Sequence, residues 1–183
     1  MTVEQFLPAL HYGDAVGNSA LALHRFLRTQ GVESRLVAMT CDESLRDQAV
    51  SFADYRLDPQ SVKVLHFAVA SQLTDFFLGL KGKRVMIYHN VTPARFFAGF
   101  SAELTRFTHA GREHLQRLRD GFDLVLGDST FNGDELRALG FARVGFFPLL
   151  VNLDDYDGEY SRAYLDLLRN ERKLLPLART VSS

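Results

Sequence analysis

Residues 2–31, TVEQFLPALHYGDAVGNSALALHRFLRTQG, decide the fold. A short, largely apolar run, TVEQFLPAL, predicts a strand. Gly13 and Gly17 then bracket a brief loop, and an amphipathic helix follows at once. Val16, Ala20, Leu23 and Leu27 recur at helical spacing, and Gly31 stands where a helix C-terminus favours a left-handed residue. Strand, glycine-bearing loop and helix in that order are the first unit of an α/β sheet. The loop faces bare amides and the positive end of a helix dipole toward an anion, yet it carries a carboxylate, Asp14.

The pattern repeats downstream. ESRLVAM predicts a second strand, CDESLRDQAVSF a helix, and DYRLDPQS a connecting loop. VKVLHFAV is nearly all apolar, as in a strand buried on both faces. SQLTDFFLGL predicts a helix and KRVMIYH a fourth strand. A long helical region runs from Ala94 to about Arg119, with Gly111 as a candidate break. FDLVLG, NGDELRAL and ARVGFFPLLV predict a strand, a helix and a last strand. Strands alternating with helices predict a mainly parallel sheet in a Rossmann-like three-layer sandwich. In such sheets ligands bind beyond the carboxyl ends of the strands. The residues there are Gly13, Asp14, Val16, Gly17 and Asn18, then Ala70 and Ser71, then His89 and Asn90, then Asp128, Ser129 and Asn132. Residues 158–183 are expected to form a helix and a linker that lie outside this core.

Composition excludes several classes. The 183 residues are 46% hydrophobic and 23% charged, an ordinary globular mixture. Lys and Arg number 21 against 22 Asp and Glu, so no basic excess points to nucleic acid. The one cysteine, Cys41, rules out an internal disulfide and fits a reducing compartment. No apolar run approaches the roughly 20 residues of a membrane span, and the N-terminus lacks a signal-peptide pattern. The expected location is cytoplasmic, with contact at a membrane surface left open.

Each candidate has a plain structural reading beside the functional one. GDAVGN lacks the three glycines of a nicotinamide fingerprint, although Asp42 or Glu43 could imitate its ribose-binding acid. Asp14 serves equally as a helix N-cap. His66, inside an apolar run, is expected to be a core histidine. His89 ends a buried strand beside Asn90, where a functional role is favoured. Ser129 lacks the strained G-x-S-x-G elbow of a nucleophile and can cap a helix. HAGREH, residues 109–114, misses the inverted zinc motif by one residue, so no metal site is expected.

Taken together, YGDAVGNSALALHRFLRTQGVESRLVA, HFAVAS, RVMIYHNVTPARFF and DLVLGDSTFNGDELRALGF resemble, in order, the N-terminal domain of retaining glycosyltransferases of family 4. FFPLLVNLDDYD resembles the segment that closes that domain, so the domain boundary is expected at 157. The resemblance implies one half of a GT-B enzyme, with two Rossmann-like domains facing across a cleft. It implies transfer of a sugar from a nucleotide-sugar donor to a saccharide, lipid or small-molecule acceptor, without metal or other cofactor. A C-terminal domain holding the donor is implied as the partner; its paired glutamates are not visible here. His89 would line the cleft near the transferred sugar. Amides around Val16 and Gly17 would face the diphosphate, with Asp14 turned toward sugar hydroxyls or capping the helix. A non-catalytic module for a phosphorylated or sugar-like ligand is the alternative.

Overall fold

A computed structural model describes residues 1–150, 161–162 and 166. The boundary expected at 157, the adjacent Asp154 and Asp155, and nearly all of 158–183 lie outside the described residues. Seven strands form one sheet: β1 (Thr2–Leu10), β2 (Glu33–Cys41), β3 (Ala49–Ser51), β4 (Val62–Phe67), β5 (Arg84–Tyr88), β6 (Leu124–Gly127) and β7 (Val144–Phe146). Among the described residues four α-helices stand in the connections: α1 (Ala15–Thr29), α2 (Leu73–Gly79), α3 (Ala102–Arg117) and α4 (Thr130–Ala138). The strand order is β3-β2-β1-β4-β5-β6-β7, and every pairing is parallel.

Alternation along the strands sends side chains to two separate cores. Leu7, Leu10, Leu36 and Ala38 pack against Ala20 and Leu21 of α1, and Val3, Val64 and Ile87 gather Leu23 and Leu27 from the same helix. Phe6, Val37, Leu65, Phe67, Met86, Tyr88 and Val125 point the other way, onto Phe77 of α2, Leu115 of α3 and Leu136 of α4. Helices therefore cover both faces, and the fold is the expected Rossmann-like α/β sandwich. The order reverses direction between β1 and β4, the switch point beyond whose carboxyl ends sheets of this kind bind ligands.

Two elements depart from the sequence expectation. Residues 41–52 do not make one helix. Glu43–Gln48 form a 3₁₀ turn, and Ala49–Ser51 then pair in parallel with Leu36–Ala38 of β2. Asp42 gives this turn no side-chain cap; its carboxylate accepts instead from the Tyr12 amide at 2.7 Å. The open edge of β2 offers Ala49–Ser51 a better partner. The long helix predicted from Ala94 breaks at Gly99, whose φ is +89°, and restarts at Ser101, which caps the Leu104 amide. It does not break at Gly111. There the missing side chain lets α3 lie against the loop after β5, since a Cβ would stand 2.9 Å from Val91 Cγ1.

Candidate functional site at the carboxyl edge of the sheet

β1, β4, β5 and β6 are neighbours and run parallel, so their carboxyl ends share one edge. That edge gathers the β1–α1 loop, the β4–α2 turn with Ser71, the His89–Asn90 corner and the start of α4.

The β1–α1 loop is held by its own residues. Gly13 turns the chain with φ at +80°. Asp14 is the N-cap of α1, and its Oδ2 accepts from the Gly17 amide at 2.8 Å. The cap corrects one expectation: the Gly17 amide does not face outward, because Asp14 already occupies it. The Asn18 amide is likewise taken, by the Asp14 carbonyl at 2.8 Å. Among the described residues, none accepts from the amides of Gly13, Ala15 or Val16. These three first-turn or loop donors are what the loop can offer an anion.

The His89 corner is more tightly built. The His89 amide donates to the Phe67 carbonyl at 2.9 Å, stitching β5 to the end of β4. Its ring is only 2% exposed, whereas the residue as a whole is partly open, so His89 meets solvent through its main chain. Both ring nitrogens are engaged: Nδ1 with Asp128 Oδ2 at 3.3 Å and Nε2 with His66 Nδ1 at 3.0 Å. Burial pushes the Asp128 carboxyl up, but hydrogen bonds from His89, Asn132 and Ser129 outweigh it, and the group stays below the usual carboxylate range. Asn132 donates to Asp128 Oδ1 and accepts from Asn90 Nδ2 at 2.8 Å. Asn90 adopts φ of +72°, a left-handed turn that asparagine tolerates better than most residues, and its Oδ1 is buried without a partner. Ser129 caps α4 through the Asn132 amide at 3.1 Å, which leaves it the structural role open to it in the sequence.

A second set of contacts pins this corner from behind. Tyr88 Oη accepts from the Val91 amide at 3.1 Å and donates to Glu135 Oε2 at 2.6 Å. Arg112 of α3 holds the other oxygen of Glu135. Gly127 brings α4 against β6, because a Cβ there would sit 2.5 Å from the Gly133 nitrogen.

Sequence reasoning missed two groups. Tyr12, Phe96 and Phe100 stand in the connections after β1 and β5, and Phe131 in the first turn of α4 after β6, between 60% and 91% exposed. Aromatic residues in the segments that follow three of the strands were the available signal. The other group is polar and buried: Ser34, Gln5 and His66 occupy one face of β2, β1 and β4 and lead to His89. His66 is a core histidine, fully buried as expected, yet it is also bonded to the site.

Two other features lie elsewhere. A groove of about 550 Å³ lined by His24, Arg25, Arg28 and Arg35 opens between α1 and the outer strands β2 and β3. The buried Glu4 and Lys63 share Ser61 near the amino ends of β1 and β4, where they anchor the loop before β4. Among the described residues no three His, Cys, Asp or Glu side chains are placed to share a metal ion, and no helix is long and apolar enough to cross a membrane.

No protein-family model matches the sequence, and no curated protein matches it. A solved structure described as an alpha-glucosyltransferase in complex with UDP and a 13-mer DNA containing a central A:G mismatch is similar in fold. The TM-score is 0.52 at 13% sequence identity, over 85% of this chain and 42% of that one. This chain thus spans less than half the length of that protein, and the likeness is one of fold: a Rossmann-like half of the GT-B type.

Proposed function

We propose that this chain is the acceptor-side half of a retaining, nucleotide-sugar-dependent glycosyltransferase. The observation that carries the reading is the hydrogen-bonded corner of His89, Asn90, Asp128 and Asn132, set on the same sheet edge as the β1–α1 loop. Fold alone does not fix function, so the chemistry of that edge bears the weight. Free amides at Gly13, Ala15 and Val16 suit a diphosphate oxygen. The exposed Asn18 carboxamide and the main-chain carbonyls at the corner suit sugar hydroxyls. Tyr12, Phe96, Phe100 and Phe131 suit the apolar faces of sugar rings or the chain of a lipid acceptor. The neighbour of known structure holds UDP, and the proposal extends that donor class to this chain.

Asp14 receives a simpler role than recognition: it orders the loop by capping α1, its carboxylate accepting from the Gly17 amide at the positive end of the helix dipole. His89 contributes through its main-chain carbonyl and the rigidity of its turn, since its ring is enclosed. Catalysis then depends on positioning and on stabilising the charge that develops on the leaving diphosphate.

The test is an assay of the product of the whole reading frame against a panel of UDP- and GDP-sugars, with the anomer of the product read by NMR. Transfer with retention is expected, and His89→Ala, which keeps the main-chain carbonyl but removes the ring that holds Asp128 and His66, should lower stability and turnover together. Consumption of no nucleotide sugar, or a product of inverted configuration, would contradict the reading. Saturable donor binding without transfer would favour the non-catalytic module.

A further inference from the structure

Only the His89–Asp128 end of the polar row inside the sheet enters the reading above, and the row has a direction. Five contacts join α1 to the start of α4 through the interior. His24 Nδ1 meets Ser34 Oγ at 3.1 Å, and Gln5 Nε2 donates to that same oxygen at 3.4 Å. His66 Nε2 meets Gln5 Oε1 at 2.9 Å, His66 Nδ1 meets His89 Nε2 at 3.0 Å, and His89 Nδ1 meets Asp128 Oδ2 at 3.3 Å. Gln5 and His66 are fully buried, so water cannot serve as a substitute partner for either.

Donor and acceptor rules then assign the protons. The Gln5 carbonyl only accepts, so His66 must carry its proton on Nε2. Burial first, and the neighbouring His89 second, keep His66 from charging, which leaves its Nδ1 bare and able only to accept. The proton between the two rings therefore belongs to His89 Nε2. Asp128 is an ionised carboxylate and only accepts, so the proton between it and His89 belongs to His89 Nδ1. The two rings lie nearly parallel, with 10° between their planes and centroids 5.3 Å apart.

We propose that the Gln5 amide, acting through His66, holds the His89 ring with a proton on both nitrogens, as an imidazolium paired with Asp128. Gln5 and His66 are positioning residues; neither reaches the edge of the sheet. Turning the Gln5 amide over would reverse the bonds from Gln5 through His66 to His89 Nε2, keep the donation from His89 Nδ1 to Asp128, and leave His89 neutral. The titratable or charged groups along the row are His89 and Asp128 at one end and His24, flanked by Arg25 and Arg28, at the other. Glu135, on α4, is taken by Tyr88 and Arg112, and Asp14 by the Gly17 amide. The outcome is a fixed cation behind the main chain of the corner. This assignment concerns the ring itself and stands whether or not the chain transfers sugar.

The experiment is a long-range ¹H–¹⁵N spectrum of the ¹⁵N-histidine-labelled chain at neutral pH, where a free imidazole is mostly neutral. Two protonated-type nitrogens are expected on His89, with one protonated (Nε2) and one bare (Nδ1) on His66. Gln5→Met removes the acceptor and should give His89 a bare nitrogen; Gln5→Glu restores an acceptor oxygen and should keep both protons. A packing role alone for Gln5 would change stability and leave these signals unmoved. A bare nitrogen on wild-type His89, or an unchanged His89 spectrum in Gln5→Met, would overturn the proposal. Should Gln5→Met not fold, the wild-type spectrum decides by itself.

Discussion

At the scale of single residues, the site depends on small side chains as much as on polar ones. Gly127 shows this most clearly. Its missing Cβ would fall 2.5 Å from the Gly133 nitrogen and 2.9 Å from the Asn132 carbonyl carbon, all main-chain atoms of α4 that cannot step aside cheaply. Gly127→Ala should therefore push α4, and Asn132 with it, away from Asp128. A loss of about 1–3 kcal/mol is expected in urea unfolding, the scale of overpacking a tight interior. Gly79 is the control, since nothing lies within 4 Å of its Cβ position; Gly79→Ala should be neutral or mildly stabilising. Equal effects at the two positions would contradict this account. The sequence offered Gly127 only as the end of a strand, and nothing in its neighbours foretold the close approach.

At the scale of elements, the informative unit is the β4–β5–β6 row with its buried imidazoles. His66 is held below its ordinary value by burial and then by His89, so the folded state keeps it neutral. An unfolded chain would protonate it below about pH 6.5. The stability from this group is thus complete above that pH and is lost as pH falls toward the folded value. Asp128 is held low by the hydrogen bonds it accepts against its desolvation, so its contribution is present above about pH 4 and is lost on further acidification. Unfolding free energy should start to decline below about pH 6.5, with His66 contributing up to about 1.4 kcal/mol per pH unit. In His66→Gln that segment should flatten. Urea titrations across the range check it, and an unchanged slope would show that His66 is not the group responsible. This row was half legible. His89 stood out because it ends a strand, whereas His66 read as core because its partners, Gln5 and His89, lie 61 and 23 positions away. Contacts of that range come from strand order, which one sequence does not display. The edge strand Ala49–Ser51 was missed for a related reason: pairing with β2 overrode a local helical pattern.

At the scale of the whole molecule, alternation of apolar runs with amphipathic stretches was enough to foresee a parallel sheet with helices on both faces. It also placed the candidate residues on one edge, because the connections in such a sheet return every strand in the same direction. What could not be read was how that edge is occupied. Asp14 fills the amide offered by Gly17, and the His89 ring turns inward, so the surface left for a ligand is main chain, carboxamide and exposed aromatic rings. On the proposed function, a sugar nucleotide and its acceptor meet that surface. Amide ¹H–¹⁵N spectra of the chain, titrated with UDP-glucose, GDP-mannose and their free sugars, test it most directly. Shifts confined to residues 13–18, 89–91, 96–100 and 128–132 are the predicted result. Shifts centred instead on the basic groove of His24, Arg28 and Arg35, with the carboxyl edge silent, would contradict it.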